Sequence, residues 1–208
     1  MSHLSADAII EMPAMSLRCI EMLGETVVGQ FQPSALAAPT PIDICGWIDW
    51  LLPSYGVHVM PASDEEMGDR AAFTCAADRY ESEILVQEWI FNDLACDPHP
   101  HFARATVVHE LAHVILHVPI LRTLAPTSAD AAMLLRRERG ALPAYSDPEW
   151  QAWALAGAIL MPSRTIAMLS DQSPRSLADT YIVSEAFAAM RLKRLMSAAA
   201  AAAAPGRD

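Results

Sequence analysis

Positive charge is scarce in this sequence. There are 14 Lys and Arg against 25 Asp and Glu, a formal net charge of −11 over 208 residues. A chain this acidic repels phosphate backbones, so nucleic-acid binding is disfavoured unless basic residues gather locally. Cysteine is sparse too. The four cysteines, at 19, 45, 75 and 96, form no C-x-x-C pair, which argues against a thiolate zinc finger or a thioredoxin-like redox site. The N-terminus lacks a basic start followed by a long apolar run, so no signal peptide is expected. No apolar stretch free of charge and proline reaches membrane-spanning length. With neither an export segment nor a cysteine framework, the cytoplasm is the expected compartment. What the chain does have is apolar mass: 53% of its residues are hydrophobic, enough for a core that needs no disulfides. The length fits one domain, or one domain with a small appendage.

Along the chain, residues 7–24 read as weakly helical around Pro13, and the proline- and alanine-rich stretch 29–41 reads as a linker. The compact part is expected to begin near Pro41. Ile42–Leu52 is a helix candidate, and Tyr55-Gly56 turns the chain into a strand over Val57–Met60. Ser63–Arg70 is acidic and reads as a loop. Ala71–Ala76 and Ile84–Phe91 read as strands, the second rich in β-branched and aromatic residues. Asp97-Pro98 then opens a long helix, with Asp as N-cap and Pro at the first position, which Pro119 stops. Residues 119–145 read as irregular, with a charged knot at Arg136–Arg139. A further helix starts at Ser146-Asp147-Pro148-Glu149 and runs to about Leu160. Residues 174–196 hold two more, Ser184 capping the last, before an alanine-rich tail.

Within the long helix stands His109-Glu110-Leu111-Ala112-His113, the pattern H-E-x-x-H. Helical spacing puts residues i and i+4 one turn apart on one face, so both imidazoles can reach one ion at about 2.0–2.1 Å. Glu110 lies at another angle and is free to act as general base on water. Two histidines and an acid among Val107, Val108, Leu111, Val114, Ile115 and Leu116 are costly to bury unless paired or metal-bound. A catalytic site needs a third ligand. His117 lies about 12 Å along the axis from His109, at about 1.5 Å per residue, so it cannot share an ion with both. It reads as a helix-end residue favoured by the carbonyl terminus. Leu116 and Pro119 also exclude the longer H-E-x-x-H-x-x-G-x-x-H pattern. An acid on a second helix is expected: Glu149 leads, Glu138 and Asp147 are rivals, and Glu149 could instead close a capping box with Ser146.

VVHELAHVILH together with EWQAWALAGAILMP resembles the ImmA/IrrE-type zinc peptidases, whose second block follows an E-x-x-A-[ND]-x-F-A-x-x-L-L-M-P-like pattern. PIDICGWIDWLLPSYGVHV resembles the family's entry helix and first strand, and LADTYIVSEAFAAMRLKRL its C-terminal helices, so the resemblance spans roughly residues 41–196. It implies one Zn2+ held by His109, His113 and Glu149, with Glu110 as catalytic base. It implies an α+β fold, a zincin-like core in which a small sheet packs on the H-E-x-x-H helix and a second ligand-bearing helix, followed by C-terminal helices. The implied organisation is a partly ordered N-terminal extension (1–40), a metallopeptidase domain (41–170) and a C-terminal helical segment with its tail (171–208). The implied role is regulatory: cleavage of a helix-turn-helix transcriptional repressor in phage, mobile-element, stress or defence systems. Three positions depart from the pattern: Trp153 stands for Asn or Asp, Leu155 for Phe, and Ala112 for Gly. Trp153 removes a side chain that would hydrogen-bond behind a ligand.

Other groupings carry further expectations. An exposed Ile84–Phe91 could pair with an extended substrate. Ser176–Leu195 has helix-turn-helix spacing, with Arg191, Lys193 and Arg194 placed to meet phosphates, although Glu185, Ala188 and Ala189 offer a reading face little base chemistry. Cys75 is a candidate to block an open metal position; Cys96 would lie about 20 Å up the helix from His109. Trp47, Trp50, Trp150 and Trp153 read as core. The alternative to a peptidase is a non-proteolytic zinc-containing regulator, touching DNA through its C-terminal helices. Glu110 argues against it, because a structural site has no use for that residue.

Overall fold

A computed structural model of the chain describes residues 12–78, 80–97, 100–124 and 143–203. The fold is α+β. Its first helix, α1 (Leu17–Phe31), begins where the Ser16 side chain accepts a hydrogen bond from the Cys19 amide. Ile20, Gly24 and Val28 recur every four residues and form its buried stripe. A short helix α2 (Ser34–Ala37) follows, with Ala35 fully buried. Gln32 then ties the chain down, donating to the Pro41 carbonyl at 3.1 Å and accepting from the Asp43 amide at 2.9 Å. Residues read as an extension and a linker are thus folded into the common core: Pro33 sits at the start of α2, where a missing N–H costs nothing.

The expected helix over Ile42–Leu52 is three short pieces: α3 (Ile44–Gly46), a π turn (Trp47–Leu51) and a 3-10 turn (Leu52–Tyr55). Trp47 is buried edge-on against Phe31, their centroids 5.2 Å apart, whereas Trp50 is 82% exposed. The wider π turn carries Trp50 off the core-facing side, so the reading of all four tryptophans as core fails there.

Strand β1 (Val57–Ala62) leads through the capped turn α4 (Asp64–Met67), where a loop was expected, to β2 (Ala72–Ala76) and β3 (Ser82–Gln87). The sheet order is β1-β3-β2, with β1 parallel and β2 antiparallel to β3. The strand expected over Ile84–Phe91 therefore lies in the centre of the sheet and offers no free edge. Its second half is not strand at all: Glu88 opens α5 (Glu88–Cys96), an acid in the first turn of a helix.

Asp97 closes α5 instead of opening the next helix, and α6 (His101–Leu116) starts after Pro100. Cys96 is therefore not on the histidine-bearing helix. Pro119 falls in the first turn of α7 (Val118–Leu124), which its missing N–H tolerates. The stretch with Arg136–Arg139 and Glu138 lies outside the described residues. Then come α8 (Pro148–Leu160), α9 (Ser163–Ile166), α10 (Pro174–Tyr181) and α11 (Glu185–Ala203).

Helix α8 sits at the centre, packed on α6 along one side and α1 along another. The approach of α1 is close: a Cβ on Gly24 would stand 2.6 Å from the Ala158 Cβ. The C-terminal pair is riveted to this unit by two buried guanidinium groups. Arg104 of α6 donates to the Ile182 and Tyr181 carbonyls at 3.0 and 3.4 Å, across a turn where Ile182 is left-handed at φ 54°. Arg191 of α11, 1% exposed, donates to Glu21 of α1 and to the Met161 carbonyl that ends α8. Ser184 caps α11 as expected, accepting from the Phe187 amide. Of the three basic residues read as phosphate contacts, Arg191 is spent in the core and Arg194 donates to the Trp153 carbonyl. Among the described residues no helix is long and apolar enough to cross a membrane.

Candidate metal centre

His109 and His113 leave the buried side of α6 one turn apart, 7% and 3% exposed. Glu149, in the first turn of α8, meets them both. Its Oε2 lies 3.3 Å from His109 Nε2 and its Oε1 lies 3.3 Å from His113 Nε2, while the two Nε2 atoms are 3.1 Å apart. Ligand atoms at about 2.0–2.1 Å from a tetrahedral ion stand about 3.3 Å from one another. The triangle of donors is thus the size that a small divalent cation demands. Among the described residues these three form the one group of His, Cys, Asp and Glu able to hold a metal.

Helix capping leaves Glu149 available. Asp147, a rival for ligand, is the N-cap: its Oδ1 accepts from the Glu149 amide at 3.0 Å. The Ser146–Glu149 capping box does not form, and the Glu149 carboxyl points at the imidazoles instead. Burial alone opposes its ionisation, but hydrogen bonds from His109 and His113 and their charge outweigh it, holding Glu149 well below the usual carboxylate range.

Glu110, next after His109, is half-buried on another face of α6. The Thr74 hydroxyl of β2 lies 2.8 Å from its Oε2 and 3.0 Å from its carbonyl oxygen. Since Thr74 faces α6, the alternation of the strand turns Cys75 to the other side, where its Sγ lies 3.8 Å from Glu83. Cys75 is accordingly outside the donor cluster, and the other three cysteines are exposed and free.

His117 does cap the end of α6, but not as a charged partner of the helix terminus. It is fully buried, and burial first, then the charge of His113, pushes its pKa down to about 3. Its Nδ1 stands 2.9 Å from His113 Nδ1 and its Nε2 3.0 Å from Gln151 Oε1. Trp153, one turn beyond Glu149 on α8, stacks on His109 with centroids 4.1 Å apart at 27°. His109 Nδ1 has no hydrogen-bond partner among the described residues. The missing Asn or Asp is therefore replaced by ring stacking and not by another polar group. The i, i+4 continuation to His117 and the lone Gln151 in an apolar helix were visible in the sequence as signals. The contact of Thr74 with Glu110 was not.

Two imidazoles from successive turns of one helix, meeting a carboxylate from a second, make this an α+β chain with a candidate H-E-x-x-H metal centre. Residues 99–193 match the Peptidase_M78 family, described as the IrrE N-terminal-like domain. Over that segment the chain is similar to the ImmA/IrrE family, a family of peptidases. The match contains both ligand-bearing helices and ends within α11, whereas the sheet and α1 lie outside it. No curated protein and no solved structure matches the chain.

Proposed function

We propose that the protein is a zinc-dependent endopeptidase in which His109, His113 and Glu149 hold the ion and Glu110 is the general base. The observation that carries this reading is the triangle of two Nε2 atoms and one carboxylate with sides of 3.1–3.3 Å, directly beside a glutamate that is not part of it. Two nitrogens and a carboxylate suit zinc and leave a fourth position open. Bound there, the ion supplies Lewis acidity, which lowers the pKa of water and offsets charge on a polarised carbonyl. Glu110 takes a proton from the attacking water and returns it to the departing amine. Thr74 donates to one oxygen of Glu110, leaving the other for that transfer.

The family resemblance supports a regulatory protein as substrate, a helix-turn-helix repressor in the first instance. Binding of DNA by the chain itself finds little support: the overall charge is acidic, and Arg191 is buried in an ion pair with Glu21. The test is metal analysis and cleavage with Glu110→Gln. The wild type should carry one zinc and cut a candidate repressor, and the variant should keep the zinc and lose the cutting. A wild type that takes up no transition metal, or a variant that cuts as well as the parent, sinks the proposal.

A further inference from the structure

The donor triangle works only if the lone pairs of both histidines face inward, and an imidazole has two nitrogens that can exchange the proton. For His113 a line of hydrogen bonds settles which nitrogen carries it. The line starts at Gln151, which is 1% exposed. The two ends of its amide differ little in shape, but its neighbours tell them apart. The Nε2 end stands 3.0 Å from the Pro13 carbonyl and 2.7 Å from the Tyr145 carbonyl, both of which only accept. A flipped amide would set oxygen against two oxygens and strand three polar atoms in the interior. The NH2 group therefore faces the carbonyls, and Oε1 faces His117 Nε2 at 3.0 Å. That oxygen only accepts, so His117 carries its proton on Nε2. The neutral ring then presents a lone pair at Nδ1, 2.9 Å from His113 Nδ1. His113 must donate there, and its Nε2, facing Glu149, is the nitrogen left for the metal.

The far end of the line is held by the N-terminal segment. Met12 and Met15 donate backbone hydrogen bonds to the Ser146 and Tyr145 carbonyls at 3.2 and 2.9 Å. Residues 130 or more positions apart in sequence are thus laced together beside Gln151. His109 has no such line behind it: its Nδ1 is without a hydrogen-bond partner among the described residues, and Trp153 holds its ring by stacking.

We infer that Gln151, through His117, is a positioning residue that fixes His113 as the Nδ1–H tautomer with Nε2 turned to the metal, and that the N-terminal segment anchors it. The inference rests on the metal-site reading above. Outer groups that orient a ligating histidine are worth about 10- to 100-fold in metal affinity.

The experiment uses the full chain and two readouts. The first is nitrogen NMR of the imidazoles in the metal-free wild type. The inference expects His113 protonated at Nδ1 and His117 at Nε2; His113 without a proton at Nδ1 overturns it, whatever any variant does. The second is zinc affinity, measured by competition with a chromophoric chelator. Gln151→Met keeps the volume and removes the amide, and should bind zinc about 10- to 100-fold more weakly while its histidine signals show mixed tautomers. Gly24→Ala, a packing change on α1, should lower stability and leave zinc affinity alone. If Gln151→Met binds zinc as tightly as the parent, the inference falls and the metal site stands. If the wild type binds no zinc, it is the functional reading that falls.

Discussion

The hydroxyl of Thr74 stands 2.8 Å from Oε2 of Glu110 and 3.0 Å from the carbonyl oxygen of the same residue. A hydroxyl has one proton to give, so the two acceptors share it and the Glu110 side chain is drawn back along its own helix. Strand β2 thereby holds the proposed base, while α6 carries two of the three proposed ligands. Thr74→Val, which keeps the shape and loses the proton, should lower the turnover of the peptidase by about tenfold, a fraction of what a general base contributes. Zinc content should not change, and Thr74→Ser should restore most of the rate. Equal single-turnover rates for Val and Thr at position 74 would show that the contact has no part in the chemistry.

Trp153 gives an optical handle on the site. Its ring lies 4.1 Å from that of His109, so loading His109 with a metal ion changes the field on the indole. Adding zinc to the metal-free protein should shift or quench tryptophan emission at one equivalent. Trp153→Phe should abolish most of the change even though four tryptophans remain. A response that survives in the variant would place the reporter elsewhere.

Acid should weaken the metal-free fold through His117. Its pKa is 6.5 in an ordinary setting and about 3 in the fold, because burial disfavours the cation. Between those values the unfolded chain binds a proton that the folded chain refuses, so stability rises with pH. The contribution is complete above about pH 6.5 and is lost as the pH falls toward about 3. Urea midpoints of the metal-free protein should therefore drop steadily from pH 7 to pH 4. His117→Asn should flatten that slope. Glu149, held low in the fold, adds a loss of the same sign further into acid, and it is common to both proteins.

The ion pair between Arg191 and Glu21 is buried, 1% and 17% exposed at its two side chains. Taking away only the acid leaves the guanidinium in the interior with the Met161 carbonyl as a remaining acceptor. Glu21→Ala should destabilise the protein by about 3 kcal/mol. The double variant with Arg191→Met should recover part of that loss, since no unpaired charge remains. Denaturation of the two proteins side by side checks the order.

Much of the site could be read before folding was known, and the reasons are local. The spacing of His109 and His113 is a property of one helix, and so is the placement of Glu149 in the first turn of another. Strands β1 and β2 and helix α8 followed from short runs of matching pattern. Errors arose where a distant partner decides. The stretch before Pro41 has the composition of a linker, yet Ile20 and Val28 are fully buried because α1 packs on α8, with Ala158 close against Gly24. ILVQEWIF has strand propensity throughout, but the partner strands end at Ala62 and Ala72, opposite Gln87 and Val86, and the rest turns helical. Arg191 looked like a phosphate ligand because nothing in its neighbourhood of sequence reveals Glu21. His117 lies outside the donor triangle, as its distance along the axis predicts, but its tie to Gln151 crosses between helices and has no local signature.

Arg104 stands five residues before His109 on α6, and the Tyr181 and Ile182 carbonyls accept from it across the α10–α11 turn. A chain cut short ahead of Pro174 would strand that guanidinium beneath the helix that carries the histidines. Such a truncation removes part of the foundation on which the H-E-x-x-H helix is seated, and it should cost the site its footing before any substrate is offered.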